Sequence, residues 1–216
     1  MSLTLVLGNK AYSSWSMRPW IALKQAGIPF EEIVIPIYIE GSSEELHKHS
    51  PAGKVPILKD GGLTVWDSLA IIEYAAERFP QAGIWPEERD ARALARSISA
   101  EMHSGFVPLR KLCTMNVRRH YPGFDIPADV RKDVDRIDQI WNEARARYGR
   151  GGPFLFGRWS GADAMYAPVV TRFETYDVKV SKASRDYMDA VLALPAMQEW
   201  YEGAKAETWV LPQYEY

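Results

Sequence analysis

Three serines, Ser13, Ser14 and Ser16, lie in a short loop that precedes a predicted helix. A serine hydroxyl that donates a hydrogen bond to a bound thiol stabilises the thiolate, and a free thiol has a pKa of about 8.5. Lowering that pKa by ~2 units takes about 2.7 kcal/mol. One hydroxyl donor and a helix N-terminus together are of that order. The alternative is that one of the serines simply caps the helix, as serine often does.

The segment Lys54–Ile57 places a proline, Pro56, at the start of a predicted strand. Proline cannot donate to a strand ladder, so its ordinary place would be an edge strand with a trans bond, since cis bonds are only about 5–6% of X–Pro bonds. A cis Pro56 would instead turn the backbone N–H and C=O of Val55 outward, where an extended peptide ligand can pair with them. Both interpretations stay open on the residues alone.

Two acidic residues, Asp67 and Asp163, lie at the starts of predicted helices. Asp67 and Ser68 precede an apolar helical run and predict an N-cap, and the same N–H groups can bind a ligand carboxylate. Ser160 and Asp163 have the spacing of a capping box, which predicts a structural role.

Other reactive side chains give little support to alternative chemistry. The chain has no G-x-S-x-G elbow and its four histidines show no partner pattern, so a serine hydrolase is disfavoured. His47 and His49 lie in a charged stretch and are predicted to be solvated. Cys113 is the only cysteine, which excludes an intrachain disulfide and predicts a buried, inert thiol. We predict no metal site.

The composition excludes several classes of partner. Lys and Arg number 26 against 28 Asp and Glu, so neither nucleic-acid binding nor attraction to an anionic membrane is supported. No apolar run approaches the ~18 residues of a membrane span, and residues 1–9 lack the basic start of a signal peptide. We expect a cytoplasmic protein. A chain of 216 residues suggests one or two domains at roughly 100–200 residues each.

Hydrophobic periodicity divides the chain into two parts. The first part predicts a βαβ unit and then a ββα unit; its strands are expected at 3–7, 30–37, 55–59 and 63–66, and its helices at about 16–26, 41–49 and 68–79. After a linker at 80–88, strands nearly vanish. One long helix is predicted over 91–112 and another over 130–148, followed by helices at 161–176, 182–193 and 196–206. The predicted domains are thus 1–79 and 89–216.

Three motifs in this order resemble the glutathione transferase superfamily over essentially the whole chain, in a serine-type, bacterial-like form closest to the zeta class. Ser13–Arg18 is similar to the zeta S-S-C-x-x-R pattern, Ser50–Pro56 to the N-P-x-x-x-V-P segment, and Asp67–Tyr74 to the E/D-S-x-A-I-x-x-Y helix start. The resemblance implies a thioredoxin-like N-terminal α/β domain with a mixed four-stranded sheet, followed by an all-α helical bundle.

The resemblance also implies that glutathione is a co-substrate and assigns residues to it. Ser13 matches the serine that stabilises the thiolate, and Ser14 is a close competitor because the register of this loop is hard to fix. The family's pattern places the backbone of glutathione on Val55, beside cis-Pro56. It places the glycyl carboxylate near Lys54 and the γ-glutamyl end at Asp67 and Ser68.

The implied function is conjugation of the glutathione thiolate to hydrophobic electrophiles. The zeta pattern has Cys where this chain has Trp15, which puts a maleylacetoacetate-type isomerase in doubt but keeps it as an alternative. A non-catalytic scaffold is the other alternative. The lack of an active-site cysteine argues against thiol transfer through a mixed disulfide.

The electrophile pocket is expected to be lined by Trp15, Ser97, Glu101 and Ser104. The aromatic tail, 209–216, either folds back as a lid or packs on the core. Relatives imply a homodimer, for which the surface candidates are Trp85, Arg89, Arg92 and Arg96.

Overall fold

The N-terminal part of the chain begins with a parallel β–α–β unit. The structure, a computed structural model, describes residues 3–215. It contains β1 (Leu3–Leu7), α1 (Ser14–Gln25) and β2 (Phe30–Val34), and β1 pairs in parallel with β2. A left-handed Gly27, with φ of 65°, lets the chain turn back after α1. The predicted βαβ unit is therefore confirmed.

A short helix and a ββα unit complete this part. They are α2 (Ser42–His49), β3 (Ile57–Asp60), β4 (Leu63–Trp66) and α3 (Ser68–Arg78). Within the described residues the strands form a mixed four-stranded sheet in the order β2-β1-β3-β4, with β3 antiparallel to both neighbours. This is the thioredoxin-like architecture that the sequence predicts.

Two strands are shorter than predicted, each within two residues of a proline. β2 ends at Val34 rather than at 37, and β3 begins at Ile57 rather than at 55. Pro36 and Pro56 have no N–H to donate to a ladder, which accounts for both boundaries.

The rest of the chain is helical. It contains α4 (Arg89–Ser104), α5 (Val107–Leu112), α6 (Ala128–Tyr148), α7 (Gly161–Thr175), α8 (Lys182–Leu192) and α9 (Pro195–Ala206). Short 3-10 turns lie at Pro80–Ala82 and Pro212–Tyr214. The all-helical second part is thus confirmed, while the exact division at 80–88 stays a prediction. No helix in residues 3–215 is long and apolar enough to cross a membrane.

The single long helix predicted over 91–112 is wrong. α4 ends at Ser104, Gly105 follows as its C-cap, and Phe106 adopts the left-handed region with φ of 56°. Pro108 explains the break, because it has no N–H to donate to the Ser104 carbonyl in a continuous helix. As a result, α5 takes its own direction.

The helix α7 runs through the core of the second part. Its start carries the predicted capping box: Asp163 Oδ2 accepts from the Ser160 N–H and hydroxyl, each at 2.8 Å. Burial raises the pKa of Asp163 to about 6. The ring of Trp85 lies against Gly161, where an added Cβ would meet it at 2.9 Å. Trp85 is only 7% exposed, so its choice as a surface candidate was wrong.

The helix α1 joins the two parts of the molecule. It contacts α3 in the first part and α7 in the second. Its residues Ser14, Ser16 and 17–23 are all buried. The N-terminal end of α1, which carries the serine loop, is consequently held against the helical part.

Candidate active site

A cleft of about 1090 Å³ opens between the sheet domain and the helices α5 and α7. It is lined by all of the residues that the sequence assigned to glutathione and its thiolate, together with Trp15. These residues are Ser13, Ser14, Lys54, Val55, Pro56, Asp67 and Ser68. The structure therefore brings into one cleft three motifs that are well separated in the sequence.

Ser13 is the N-cap of α1. Its Oγ accepts from the Ser16 N–H at 3.3 Å and donates to the Ser16 Oγ at 2.8 Å. Ser16 in turn accepts from the Gly8 N–H at 2.9 Å. The hydroxyl hydrogen of Ser13 is thus engaged inside the loop, as expected for a capping serine.

Ser14 is bonded differently. Its Oγ accepts from Nη2 of Arg172 at 3.1 Å, and no residue of the described chain accepts its hydroxyl hydrogen. The other guanidinium nitrogen, Nη1, donates to the carbonyl of Cys113. Burial lowers the pKa of Arg172 to about 10. Ser14 therefore has a free donor on the wall of the cleft.

The segment before β3 forms a second wall of the cleft. The Val55–Pro56 peptide bond is cis, Val55 is half-buried and Pro56 is buried. Lys54 is exposed at the rim. His47 and His49 do not line the cleft: Nδ1 of His47 bonds to the Ser43 carbonyl at 2.7 Å, on the helix itself.

The start of α3 forms the third wall. Asp67 caps the helix, because its Oδ1 accepts from the N–H groups of Leu69 and Ala70 at 2.9 and 3.3 Å. Its Oδ2 lies 3.2 Å from Nε2 of His103. The predicted cap is confirmed, and the Ser68 N–H is not among the groups that Asp67 satisfies.

A buried arginine lies behind these residues. Nη1 of Arg18 donates to the Ser68 Oγ at 3.4 Å. Burial, and then repulsion from Arg110 and Arg172, lowers the pKa of Arg18 to about 9. The guanidinium groups of Arg18 and Arg110 lie 4.3 and 5.4 Å from the centroid of the Trp15 ring. The cleft therefore holds an excess of positive charge.

The structure does not place Ser97, Glu101 or Ser104 in the cleft. The hydroxyls of Ser97 and Ser104 bond to carbonyls of their own helix, each at 2.9 Å, and Glu101 pairs with Arg136 on the surface. The break at Gly105 instead turns α5 toward the cleft. The residues that line this side are Val107, Arg110, Lys111, Thr114 and Met115.

The C-terminal tail packs on the loop before the serines and also reaches the cleft. Leu211 is 2% exposed beside Ala11 and Tyr12. Tyr214 lines the cleft, with its ring 5.7 Å from that of Tyr12 and 6.0 Å from that of Tyr38. The tail thus packs on the core at Leu211 and also lines the cleft at Tyr214. Tyr216 lies outside the described residues.

Two arginines of this site were missed from the sequence. Arg18 belongs to the motif that begins at Ser13, so the motif itself offered a signal. Arg172 is a single charged residue in the apolar run 164–173, and a charge in such a run indicates a specific buried contact.

Cys113 is a buried free thiol, as the sequence predicts. Burial raises the pKa of Cys113 to about 11, so its thiol is un-ionised at neutral pH. Residues 3–215 contain no group of three or more His, Cys, Asp or Glu side chains placed to hold a metal ion.

Comparisons with known proteins identify the family. Residues 12–78 match the model "Glutathione S-transferase, N-terminal domain", and residues 116–203 match "Glutathione S-transferase, C-terminal domain". A maleylacetoacetate isomerase of Rattus norvegicus is 31% identical over 89% of this chain and 90% of that protein. Another, of Mus musculus, is 38% identical over 78% of each. A Burkholderia glutathione transferase homologue solved with bound glutathione has a TM-score of 0.72 at 24% identity, covering 96% of this chain and 100% of its own. The serine loop, the proline segment and the start of α3 meet in one cleft, which agrees with these matches. The chain therefore belongs to the glutathione S-transferase family, and its relatives include zeta-like members.

Proposed function

We propose that the protein conjugates the thiolate of reduced glutathione to small hydrophobic electrophiles in this cleft. The observation that carries the proposal is the serine hydroxyl with a free hydrogen, Ser14, in the same cleft as Val55 and Ser68. A scaffold protein has no need for this combination.

Glutathione would bind along the walls formed by the sheet domain. The backbone N–H and C=O of Val55 pair with the cysteinyl residue, as a strand pairs with an extended peptide. Lys54 faces the glycyl carboxylate. At the other end the Asp67 carboxylate meets the γ-glutamyl ammonium, while the Ser68 N–H and hydroxyl meet the γ-glutamyl carboxylate at the start of α3.

The chemical step needs a thiolate. The bound thiol releases its proton to solvent, and a serine hydroxyl donates a hydrogen bond to the sulfur anion that remains. The thiolate lone pair then forms a C–S bond to the electrophilic carbon. The displaced electron pair leaves with the leaving group or, in an addition, ends on a neighbouring atom that solvent protonates.

The electrophile would occupy the side of the cleft formed by α5, Trp15 and the tail. Val107 and Met115 supply apolar contacts there, and Val107 is 46% exposed. Trp15 also lines the cleft and supplies aromatic surface there. These surfaces favour a planar, hydrophobic electrophile.

A glutathione-dependent isomerase is the second candidate function. It is supported by the two relatives named maleylacetoacetate isomerase and by the matching serine pair. Trp15 in place of the zeta-type cysteine weighs against it. The two activities differ in whether glutathione is consumed. Conjugation consumes one glutathione for each turnover, whereas isomerisation regenerates it.

The test is calorimetric titration with glutathione, followed by turnover of an activated aryl halide and of a conjugated cis-alkene acid. Binding together with loss of glutathione and release of halide supports conjugation. Turnover of the alkene without loss of glutathione supports the isomerase. A folded sample that does not bind millimolar glutathione contradicts both and favours a scaffold.

We also propose a homodimer in the cytoplasm. A C2 pair is the commonest oligomer, and the resemblance to the family implies that the helical part of one subunit packs on the thioredoxin-like part of the other. The cytoplasm is supported by the co-substrate, because that compartment keeps thiols reduced. Light scattering that gives the monomer mass of 24.5 kDa at micromolar protein would contradict the dimer.

A further inference from the structure

The turn that leads into the serine loop is held by a carboxylate from the other end of the chain. Glu207 directly follows α9 and is half-buried. Its Oε1 accepts from the Lys10 N–H at 2.5 Å, and its Oε2 accepts from the Ala11 N–H at 3.0 Å. Both oxygens of one carboxylate are thus engaged by two successive backbone N–H groups, and such charge-assisted bonds are stronger than neutral ones.

These two bonds complete the hydrogen bonding of the turn. The Asn9 carbonyl accepts from the Ser13 N–H at 2.8 Å and so closes the turn. The N–H groups of Lys10 and Ala11 lie inside it, and Glu207 supplies the acceptor for both. Ala11 is fully buried. Because a buried N–H without an acceptor is unfavourable, the turn depends on Glu207 for its shape.

The helix α9 holds the same turn by further contacts. Nε1 of Trp200 donates to the Lys10 carbonyl at 2.9 Å. Nζ of Lys10 lies 5.6 Å from the centroid of the Trp200 ring and 2.6 Å from Oε2 of Glu32. Gly203 leaves room for the lysine, because an added Cβ would meet Lys10 Cδ at 2.9 Å. The N–H, the carbonyl and the side chain of Lys10 are therefore all held, and α9 or the residue after it contributes to each.

Glu207 is itself fixed by the helical part of the molecule. Nη1 of Arg118 donates to the Glu207 carbonyl at 2.9 Å, and Nη2 donates to the Trp209 carbonyl at 2.9 Å. Within the described chain, Glu207 is not among the residues that line the cleft. Its influence on the reaction must pass through the turn, in which Ala11 lies two residues before Ser13.

We propose that Glu207 is a positioning residue for the serine loop, acting through the N–H groups of Lys10 and Ala11. By fixing this turn against α9, it holds the hydroxyls of the loop at the place of the glutathione thiolate. A displacement of about 1 Å in a positioned group can cost about 10²-fold in rate, so an anchor two residues away bears directly on the reaction. The inference rests on the proposed function, because its effect requires glutathione in the cleft.

The experiment measures the pKa of the bound glutathione thiol, from the ultraviolet absorbance of the thiolate, together with kcat and KM for turnover of an activated aryl halide. Glu207→Gln keeps the size of the side chain, but its amide has one acceptor oxygen for two N–H groups. We expect the thiol pKa to rise by about half a unit and kcat at neutral pH to fall about three-fold.

Glu207→Ala removes both acceptors. The thiol pKa should then rise by about one unit, and kcat at neutral pH should fall about 10-fold and recover in alkaline buffer. KM for glutathione should change by less than about two-fold, since the residues proposed to bind its backbone and its two ends stay in place.

Two controls separate positioning from loss of charge and from loss of stability. Glu202→Gln removes an exposed carboxylate from α9 itself, where Glu202 pairs with Lys205, and should leave the thiol pKa unchanged. Circular dichroism and urea unfolding establish that each variant is folded in the assay. A purely structural anchor would lower the free energy of unfolding in both Glu207 variants and leave the thiol pKa of the folded protein at its wild-type value.

An unchanged thiol pKa in folded Glu207→Ala overturns the inference, and so does a rise in KM for glutathione with kcat unchanged. If neither Glu207 variant folds, amide hydrogen exchange of the wild-type protein decides. The amides of Lys10 and Ala11 should be protected together with those of α9, and exchange as fast as in exposed loops contradicts the proposal. A wild-type protein that does not bind glutathione would instead overturn the proposed function.

Discussion

The phenolic hydroxyl of Tyr12 donates to Oε1 of Glu215 at 2.6 Å, joining the residue before the two serines to the chain's C-terminal tail. The same phenolic oxygen accepts from Arg118 and, at 3.3 Å, from the Leu211 N–H. Burial and the bond to Glu215 raise the pKa of Tyr12. Tyr12 thus holds the tail, and its hydrogen is not directed at the thiol.

Tyr12→Phe should accordingly lower stability without changing thiol ionisation. The variant leaves partly buried donors and an acceptor without their partner, which costs about 1–3 kcal/mol. Urea unfolding and thiolate absorbance measure the two quantities. Tyr148→Phe, whose hydroxyl accepts from the exposed Arg147, is the matched control and should be nearly neutral. A raised thiol pKa in Tyr12→Phe would contradict this assignment.

Ser13→Ala should act on stability more than on chemistry. Loss of the N-cap of α1 is expected to reduce the free energy of unfolding by about 1 kcal/mol. Ser97→Ala, at an exposed serine whose hydroxyl donates to the Ala93 carbonyl of its own helix, should change it by less than about 0.5 kcal/mol. Chemical denaturation of both variants under identical conditions makes the comparison. Equal stability of the two would show that Ser13 does not cap.

Asp67→Asn should weaken glutathione binding while preserving α3. Asparagine caps a helix about as well as aspartate, but it lacks the charge that meets the γ-glutamyl ammonium. We expect the Kd for glutathione to rise about 10-fold by calorimetry, with little change in melting temperature. The control is Glu88→Gln, which alters the cap of α4 outside the cleft and should leave the Kd unchanged. An unaltered Kd in Asp67→Asn would remove this residue from the site.

Val107→Ala should raise KM for a hydrophobic electrophile. The substitution removes apolar surface from the α5 side of the cleft, worth about 1 kcal/mol or roughly a five-fold change. Steady-state kinetics at saturating glutathione give the effect. Ser104→Ala, three residues earlier but outside the cleft, should leave KM unaltered. The opposite pattern would favour the pocket first expected from the sequence.

Asp163 should make stability depend on pH. Its folded pKa of about 6 lies above the usual 3.8, so the native state binds the proton more tightly. The contribution is fully present below about pH 4 and is lost as pH rises through about 6, by up to about 3 kcal/mol. Asp163→Asn does not titrate, so its unfolding free energy relative to wild type should increase across this range. A constant difference would refute the shift.

The parts of the fold that the sequence predicted are those fixed by local chemistry. Short apolar runs located β1 and β4, and Asp67 marked the start of α3. The break between α4 and α5 was not predicted, because the helical spacing of apolar residues continues across it. Gly105 and Pro108 were the sequence signals for this break.

The site was predicted only on its sheet-domain side. Those residues belong to short sequence motifs, in which the position of each residue is set by its neighbours along the chain. The electrophile side depends on how α5 leaves Gly105 and on how α7 packs against α1, and the Ser14–Arg172 bond spans 158 residues. Contacts of that kind arise from tertiary packing and have no local signature.

The burial of α1 between the sheet domain and α7 has a consequence for the acquisition of new specificities. Nearly every side chain from Ser14 to Leu23 is in contact with a packed neighbour, so most substitutions there would create cavities or clashes. α5 and the tail carry exposed side chains at the cleft, such as Val107, and can change without disturbing a core. Under selection for altered substrates, mutations should therefore accumulate on α5 and the tail, while α1 stays unchanged.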